Sequence, residues 1–169
     1  MAAGVTTVVG NKVGWELATQ GLLTDIDLLT ARNAVGTISR DDAGNEYIYL
    51  QGAASVVKGS WVMYDELFTT ILLAAGLGTA GPIAVSLGAV NLTTSFGWWV
   101  IRHAFVFGLN VSDTMADDSP VYTSATPGSV DDDTAAGETC YGAWYRTLGT
   151  TTSSNYQIMH PFKQGQSGA

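Results

Sequence analysis

The run "GWWVIRHAFVFG", Gly97–Gly108, limits the folds open to this chain more than any other stretch. It is the most apolar segment, yet it carries Arg102 and His103 at its centre. As a strand, alternation sends Trp98, Val100, Arg102, Ala104 and Val106 to one face. Trp99, Ile101, His103, Phe105 and Phe107 go to the other. Both faces are largely apolar, so neither suits solvent: one should pack on the domain core, the other beneath a second sheet or another subunit. A membrane helix fails on length, since Phe96–Leu109 is 14 residues and a spanning helix needs about 20 apolar ones. The longer run Phe68–Val90 holds four Gly and one Pro and reads as two strands around a loop.

The rest of the chain reads as strands and turns. "AVGTIS" and "EYIYLQG" flank the turn-forming "RDDAGN", with Tyr47 and Tyr49 on one face and Ile48 and Leu50 on the other. "GSWVMYD", "TTILLA" and "GPIAVSLGAVNL" supply further strands. "PVYTSA" and "SV" form a hairpin around Pro127–Gly128. With 20 Gly and only 13% charged residues in 169, a mainly β fold is expected: a small β-barrel or β-sandwich. A weak internal repeat aligns 56–105 with 117–162, each copy reading strand, turn, strand, "(L/Y)GA", polar turn, strand. The β domain spans 34–162, and 163–169 is a disordered tail.

Residues 1–33 read as an N-terminal arm, extended or partly ordered until it docks. Gly4, Gly10 and Gly14 interrupt regular structure, while Val5, Val8, Val9, Val13, Trp15, Leu17, Leu22 and Leu23 are too apolar for a solvated tail. A helical turn or two is expected after the capping residue Thr24. The opening "MAAGVTTVVGNK" lacks the basic start and apolar centre of a secretory signal.

Reaction chemistry is sparse. Cys140 is the single cysteine, which excludes an intrachain disulfide and a cysteine-based zinc site. His103 and His160, the two histidines, have no nucleophile motif beside them and read as core or interface residues. Asp131–Asp133 lacks the spacing of a calcium loop and reads as a solvated acidic turn. The segment Asp113–Glu138 holds seven acidic residues and no basic one. A net charge of −8, with seven basic residues scattered singly, argues against a nucleic-acid partner. The aromatic set Trp61, Trp98, Trp99, Trp144, Tyr145 and Tyr156 serves packing, subunit contact or a sugar platform. If Arg102 is buried it needs a carboxylate or carbonyl partner.

"VVKGSWVMYD", "GPIAVSLGAV", "TTSFGWWVIRHA", "SPVYTSATPGSVDD" and "YGAWYRT", spanning roughly Val56 to Phe162, together resemble bacteriophage capsid decoration (cement) proteins. The resemblance implies a small barrel-like β protein, commonly a homotrimer, added to the outside of an assembled icosahedral head. The implied partners are the major capsid protein of the phage head and further copies of the chain, with no membrane. The implied location is the outer capsid surface of the virion, after synthesis in the host bacterial cytoplasm. No cofactor, metal or catalysis is implied. The candidate subunit interface is Trp98, Trp99, Ile101, Arg102, His103, Phe105 and Phe107, and the candidate capsid-binding residues are the apolar ones of the arm. The alternative is a carbohydrate-binding β module, or a tail or fibre component, using exposed aromatics.

Overall fold

A computed structural model describes residues 8–9, 26–76, 78–111, 117–133, 138–150 and 152–164. The chain is mainly β, 55% strand, with no helix among the described residues. Its strands are β1 (Val8–Val9), β2 (Ile26–Leu28), β3 (Ile38–Asp41), β4 (Glu46–Gln51), β5 (Trp61–Tyr64) and β6 (Thr70–Leu72). They continue as β7 (Gly81–Ser86), β8 (Ser95–Leu109), β9 (Pro120–Thr123), β10 (Val130–Asp131), β11 (Thr139–Thr150) and β12 (Ser153–Lys163). All twelve join one large antiparallel sheet that does not close into a barrel, so the expected barrel or sandwich gives way to an open sheet.

Turn chemistry fixes the registers. In the β3–β4 hairpin, Asp41 accepts the N–H groups of Ala43 and Asn45, the Asn45 amide and the Tyr47 hydroxyl. That carboxylate satisfies a whole turn and sets Ile38 opposite Ile48. In the β5–β6 hairpin, Asp65 does the same for the N–H groups of Leu67 and Thr69.

Two four-strand units share one pairing scheme. β5 pairs with β6 and β7, and β7 pairs with β8. β9 pairs with β10 and β11, and β11 pairs with β12. The last strands of the two units, β8 and β12, pair with each other. The end of β12 also reaches β7, through Phe162 opposite Pro82. Three mutually antiparallel strands cannot lie flat, so a strand must turn at their junction. β12 turns at His160, whose φ is +48°, and β11 follows at Gly142, with φ +77°.

The sheet has a core on each face. Tyr47, Tyr49, Trp61, Met63, Trp98, Val100, Val106, Tyr145, Tyr156 and Ile158 belong to the first. Ile48, Leu50, Val62, Ala84, Trp99 and Ile101 belong to the second, covered by Ala53, Val56 and Val90 of two loops. Trp61 packs edge-on to Tyr156, ring centroids 4.9 Å apart. Gly108 of β8 lies beneath them: a Cβ there would stand 2.7 Å from the Trp61 indole nitrogen and 2.9 Å from the Tyr156 ring.

Two expected boundaries move. Ile26–Leu28, expected within the arm, belong to the sheet, where they pair with Ser95–Gly97. Buried Asp27 anchors that strand by accepting from the Tyr49 hydroxyl and pairing with Arg32 at 2.9 Å. This pairing displaces the helical turn expected after Thr24. Lys163, assigned to a disordered tail, is a fully buried strand residue. Its Nζ lies 3.3 Å from Glu138 Oε1 and donates to the Thr79 carbonyl at 3.1 Å.

Candidate functional site

The second face of the sheet is covered over only half of β8. Trp99 and Ile101 of that face are 0% and 2% exposed, and Trp98 on the first face is 2% exposed, all within a single chain, so no neighbouring subunit is needed to bury them. Farther along the same strand Phe105 is 60% exposed and Phe107 41%. Their neighbours on β12 and β11 continue the bare surface: Met159, Trp144, Tyr141 and Phe162 are all exposed. Tyr141 and Phe162 stack across the hairpin with centroids 5.1 Å apart. Gln157, opposite Trp144, lies between the buried Tyr156 and Ile158, which places Trp144 on the side away from the first core.

Strict alternation misassigns the middle of β8. Tyr47 pairs with Val100 but Glu46 pairs with Arg102, so Ile101 is an extra residue against β4. Tyr156 pairs with Val106 but Ile158 with His103, so Ala104 and Phe105 together stand against the single residue Gln157, a second bulge. The first bulge delivers Arg102 to Glu46 rather than to the side of Trp98. The second sets His103 opposite the core residue Ile158. Its Nδ1 accepts the Phe105 N–H at 2.9 Å, and burial holds its pKa below the usual imidazole value, partly offset by the charge of Asp41.

The buried ion in this region is Glu46, not Arg102. Glu46 is 2% exposed, whereas the side chains of Arg102, Arg40 and His160 are 46%, 60% and 56% exposed. Glu46 Oε1 is 2.6 Å from Arg40 Nη2 and 3.3 Å from Arg102 Nη1, and Oε2 is 3.0 Å from His160 Nε2. Residues from β3, β4, β8 and β12 thus converge on one carboxylate. A shallow hollow of about 160 Å³, lined by Asn45, Arg102, His103, Gln157 and Met159 among others, adjoins them.

A second depression, about 360 Å³, lies on the bare face between Asp118, Trp144, Arg146, Gln157 and Met159. Arg146 Nε donates to Gln157 Oε1 at 2.8 Å, and its Nη1 pairs with Asp118. A larger groove of about 590 Å³ runs along β5–β7 past Tyr64, Phe68, Ile71 and Pro82, with Asp65 and Glu66 at its rim.

Among the described residues no group of His, Cys, Asp and Glu is arranged to hold a metal ion, and no helix is long and apolar enough to cross a membrane. Cys140 is buried, which together with the Glu138 charge pushes its thiol up to about 12, with Lys163 opposing. Of the arm residues, Val8 and Val9 pair with Asp41 and Arg40 at the free edge of β3. Val5, Val13, Trp15, Leu17, Leu22 and Leu23 lie outside the described residues. Comparison with family models, curated proteins and solved structures finds no match.

Proposed function

We propose that the chain is a structural virion protein that binds the outside of an icosahedral phage head and reinforces its shell, acting as a homotrimer. The observation that carries this reading is the half-covered second face. One chain supplies two cores, yet leaves Phe105, Phe107, Trp144, Met159, Tyr141 and Phe162 exposed on adjoining strands. Aromatic, Met and Arg side chains together are the composition of a protein contact, and Arg102 and Arg146 stand beside them. The apolar residues ahead of Ile26 extend the capsid-binding surface in this reading, and the major capsid protein is the partner. No catalytic step and no cofactor form part of it.

Co-sedimentation with undecorated heads tests the reading. The intact chain should pellet with heads, and a Phe105→Ser/Trp144→Ser variant of unchanged melting temperature should stay in the supernatant. An intact chain that stays in the supernatant overturns it.

The Trp144 depression favours one second reading, a carbohydrate-binding module or fibre component. An exposed indole beside Asp118, Arg146 and Gln157 offers a flat apolar shelf with hydrogen-bonding groups at its edge. Glycan-array binding that is lost in Trp144→Ala, with head binding intact, would select that reading.

A further inference from the structure

The cluster on Glu46 holds more positive charge than one carboxylate neutralises. Arg40 and Arg102 both bond to Oε1, so their nearest guanidinium nitrogens are within about 6 Å of each other. Two like charges that close repel. Each guanidinium makes one ion pair, to Glu46, and the side chains of Arg40 and Arg102 are 60% and 46% exposed; neither has another acceptor in an ion pair among the described residues. His160 contacts the second oxygen, and both guanidinium groups share the first. The nearby Asp41 is committed to its own turn. Because Glu46 is buried and fixed on β4, the two forks are held in place before any partner arrives, which lowers the ordering cost of binding.

The converse exists elsewhere in the chain. At the end of β10, the last strand in the sheet order, Asp131 and the next residue Asp132 are adjacent, half-buried carboxylates, and Asp131 Oδ1 accepts the Asp132 N–H at 2.8 Å. Burial raises the pKa of Asp131, and the Asp132 charge adds to that rise. The two places cannot meet within one chain. Asn110, at the end of β8, bridges to Val130, so the acidic turn stands eight residues along β8 from Arg102. At roughly 3.3 Å per residue that is about 25 Å.

We propose that the Arg40–Arg102 pair held on Glu46 is one half of a head-to-tail contact between copies of this chain, whose other half is the Asp131–Asp132 turn of the next copy. The inference rests on the homo-oligomer part of the reading above and assigns its contact residues. A contact between two different patches is heterologous, so it closes into a ring when the rotation per copy allows. The net charge of −8 on each copy does not forbid it. At physiological ionic strength charges more than about 8 Å apart are largely screened, and the local match decides. Arg forks and carboxylates pair through two parallel hydrogen bonds, which also fixes orientation.

Sedimentation velocity on the isolated full chain tests the contact without particles. Arg40→Gln/Arg102→Gln retains donors for Glu46 but removes both charges, and Asp131→Asn/Asp132→Asn removes the other half. Near-UV circular dichroism checks that each variant is folded. The native chain should sediment as an oligomer, and each folded variant should self-associate at least tenfold more weakly. Mixed in equal amounts, the two variants should form a dimer and nothing larger, because only one intact contact can form between them. A monomeric native chain, an Asn variant of native mass, or a mixture that stays monomeric overturns the proposal. If the Gln variant does not fold, the Asn variant alone decides. A chain that forms the oligomer as stated but does not pellet with heads overturns the shell reading and leaves this one standing.

Discussion

Gly142 on β11 faces the Met159 carbonyl of β12 so closely that a Cβ on Gly142 would stand 2.7 Å from that oxygen. The same Cβ would meet Pro161 Cα at 3.4 Å, and the backbone there has φ +77°. Both obstacles are backbone, at the point where the β11–β12 hairpin bends. Gly142→Ala is therefore expected to lower stability by roughly 2–4 kcal/mol, from the left-handed backbone and the clash together. Chemical denaturation of the two proteins measures it; a change under about 0.5 kcal/mol would show that the bend yields freely.

Trp99 and Phe105 share one strand and should behave in opposite ways. Trp99 is fully buried in the second core, and Phe105 is 60% exposed. Trp99→Ala should cost about 3–5 kcal/mol. Phe105→Ala should fall within about 0.5 kcal/mol, the range of surface changes. Head binding should be lost in the Phe105 variant despite its native stability. A stable Trp99→Ala protein would mean that the loop carrying Ala53 and Val56 is not a true cover.

Acid should weaken the fold through Glu138 and Asp41. Burial alone raises the Glu138 pKa, but the hydrogen bonds from Thr123 and Lys163 and the Lys163 charge hold it below its ordinary 4.5. Asp41 is likewise held below 3.8, where bonds from Asn45, Tyr47 and Ala43 outweigh burial. Both groups have depressed folded values, so the unfolded chain takes up more protons as pH falls. Their stabilisation is complete above about pH 4.5 and is lost as pH drops through the folded values. Melting temperature should decline steadily below that point. Glu138→Gln should melt lower at neutral pH, since Lys163 is left buried without its counter-charge, and should show a shallower acid slope. An identical slope in the variant would remove Glu138 from the account.

Cys140 should be inert in the folded protein. Its thiol is 1% exposed and pushed up to about 12 by burial. Ellman's reagent at about pH 8 should titrate no thiol in buffer and a full equivalent in denaturant. Fast reaction in buffer would mean that the β11–β12 hairpin opens readily near Lys163.

The parts of the fold that were legible depend on local pattern. Tyr47 and Tyr49 fall in one core and Ile48 and Leu50 in the other, as alternation requires. The hairpins around Asp41–Asn45 and Pro127–Gly128 follow from turn chemistry. What escaped depends on partners distant in sequence. The two bulges in β8 arise from the registers of β4 and β12, so no pattern within β8 announces them. Arg40, Glu46, Arg102 and His160 come from four strands, and basic residues scattered singly in sequence become neighbours in space. Lys163 looked like tail because a lone Lys before a Gly- and Gln-rich end has nothing local to mark it as buried. Thr24 looked like a helix cap because its propensity is local, while the pairing of β2 with β8 is not.

The last described strand, β12, pairs with β7, β8 and β11, and this ties folding to the order of synthesis. While the chain emerges from the ribosome, the first unit can pair its own strands, but the second half of β8 waits with Val106, Phe105 and Phe107 unmatched. The hairpin that completes it, β11–β12, is made only after β8, β9 and β10. Pairing between strands so far apart in sequence is slow, and partly finished chains with open strand edges are the ones that stick to each other. Translation stalled before Ser153 should therefore leave a product that aggregates, and refolding of the full chain should be limited by the docking of its C-terminal hairpin.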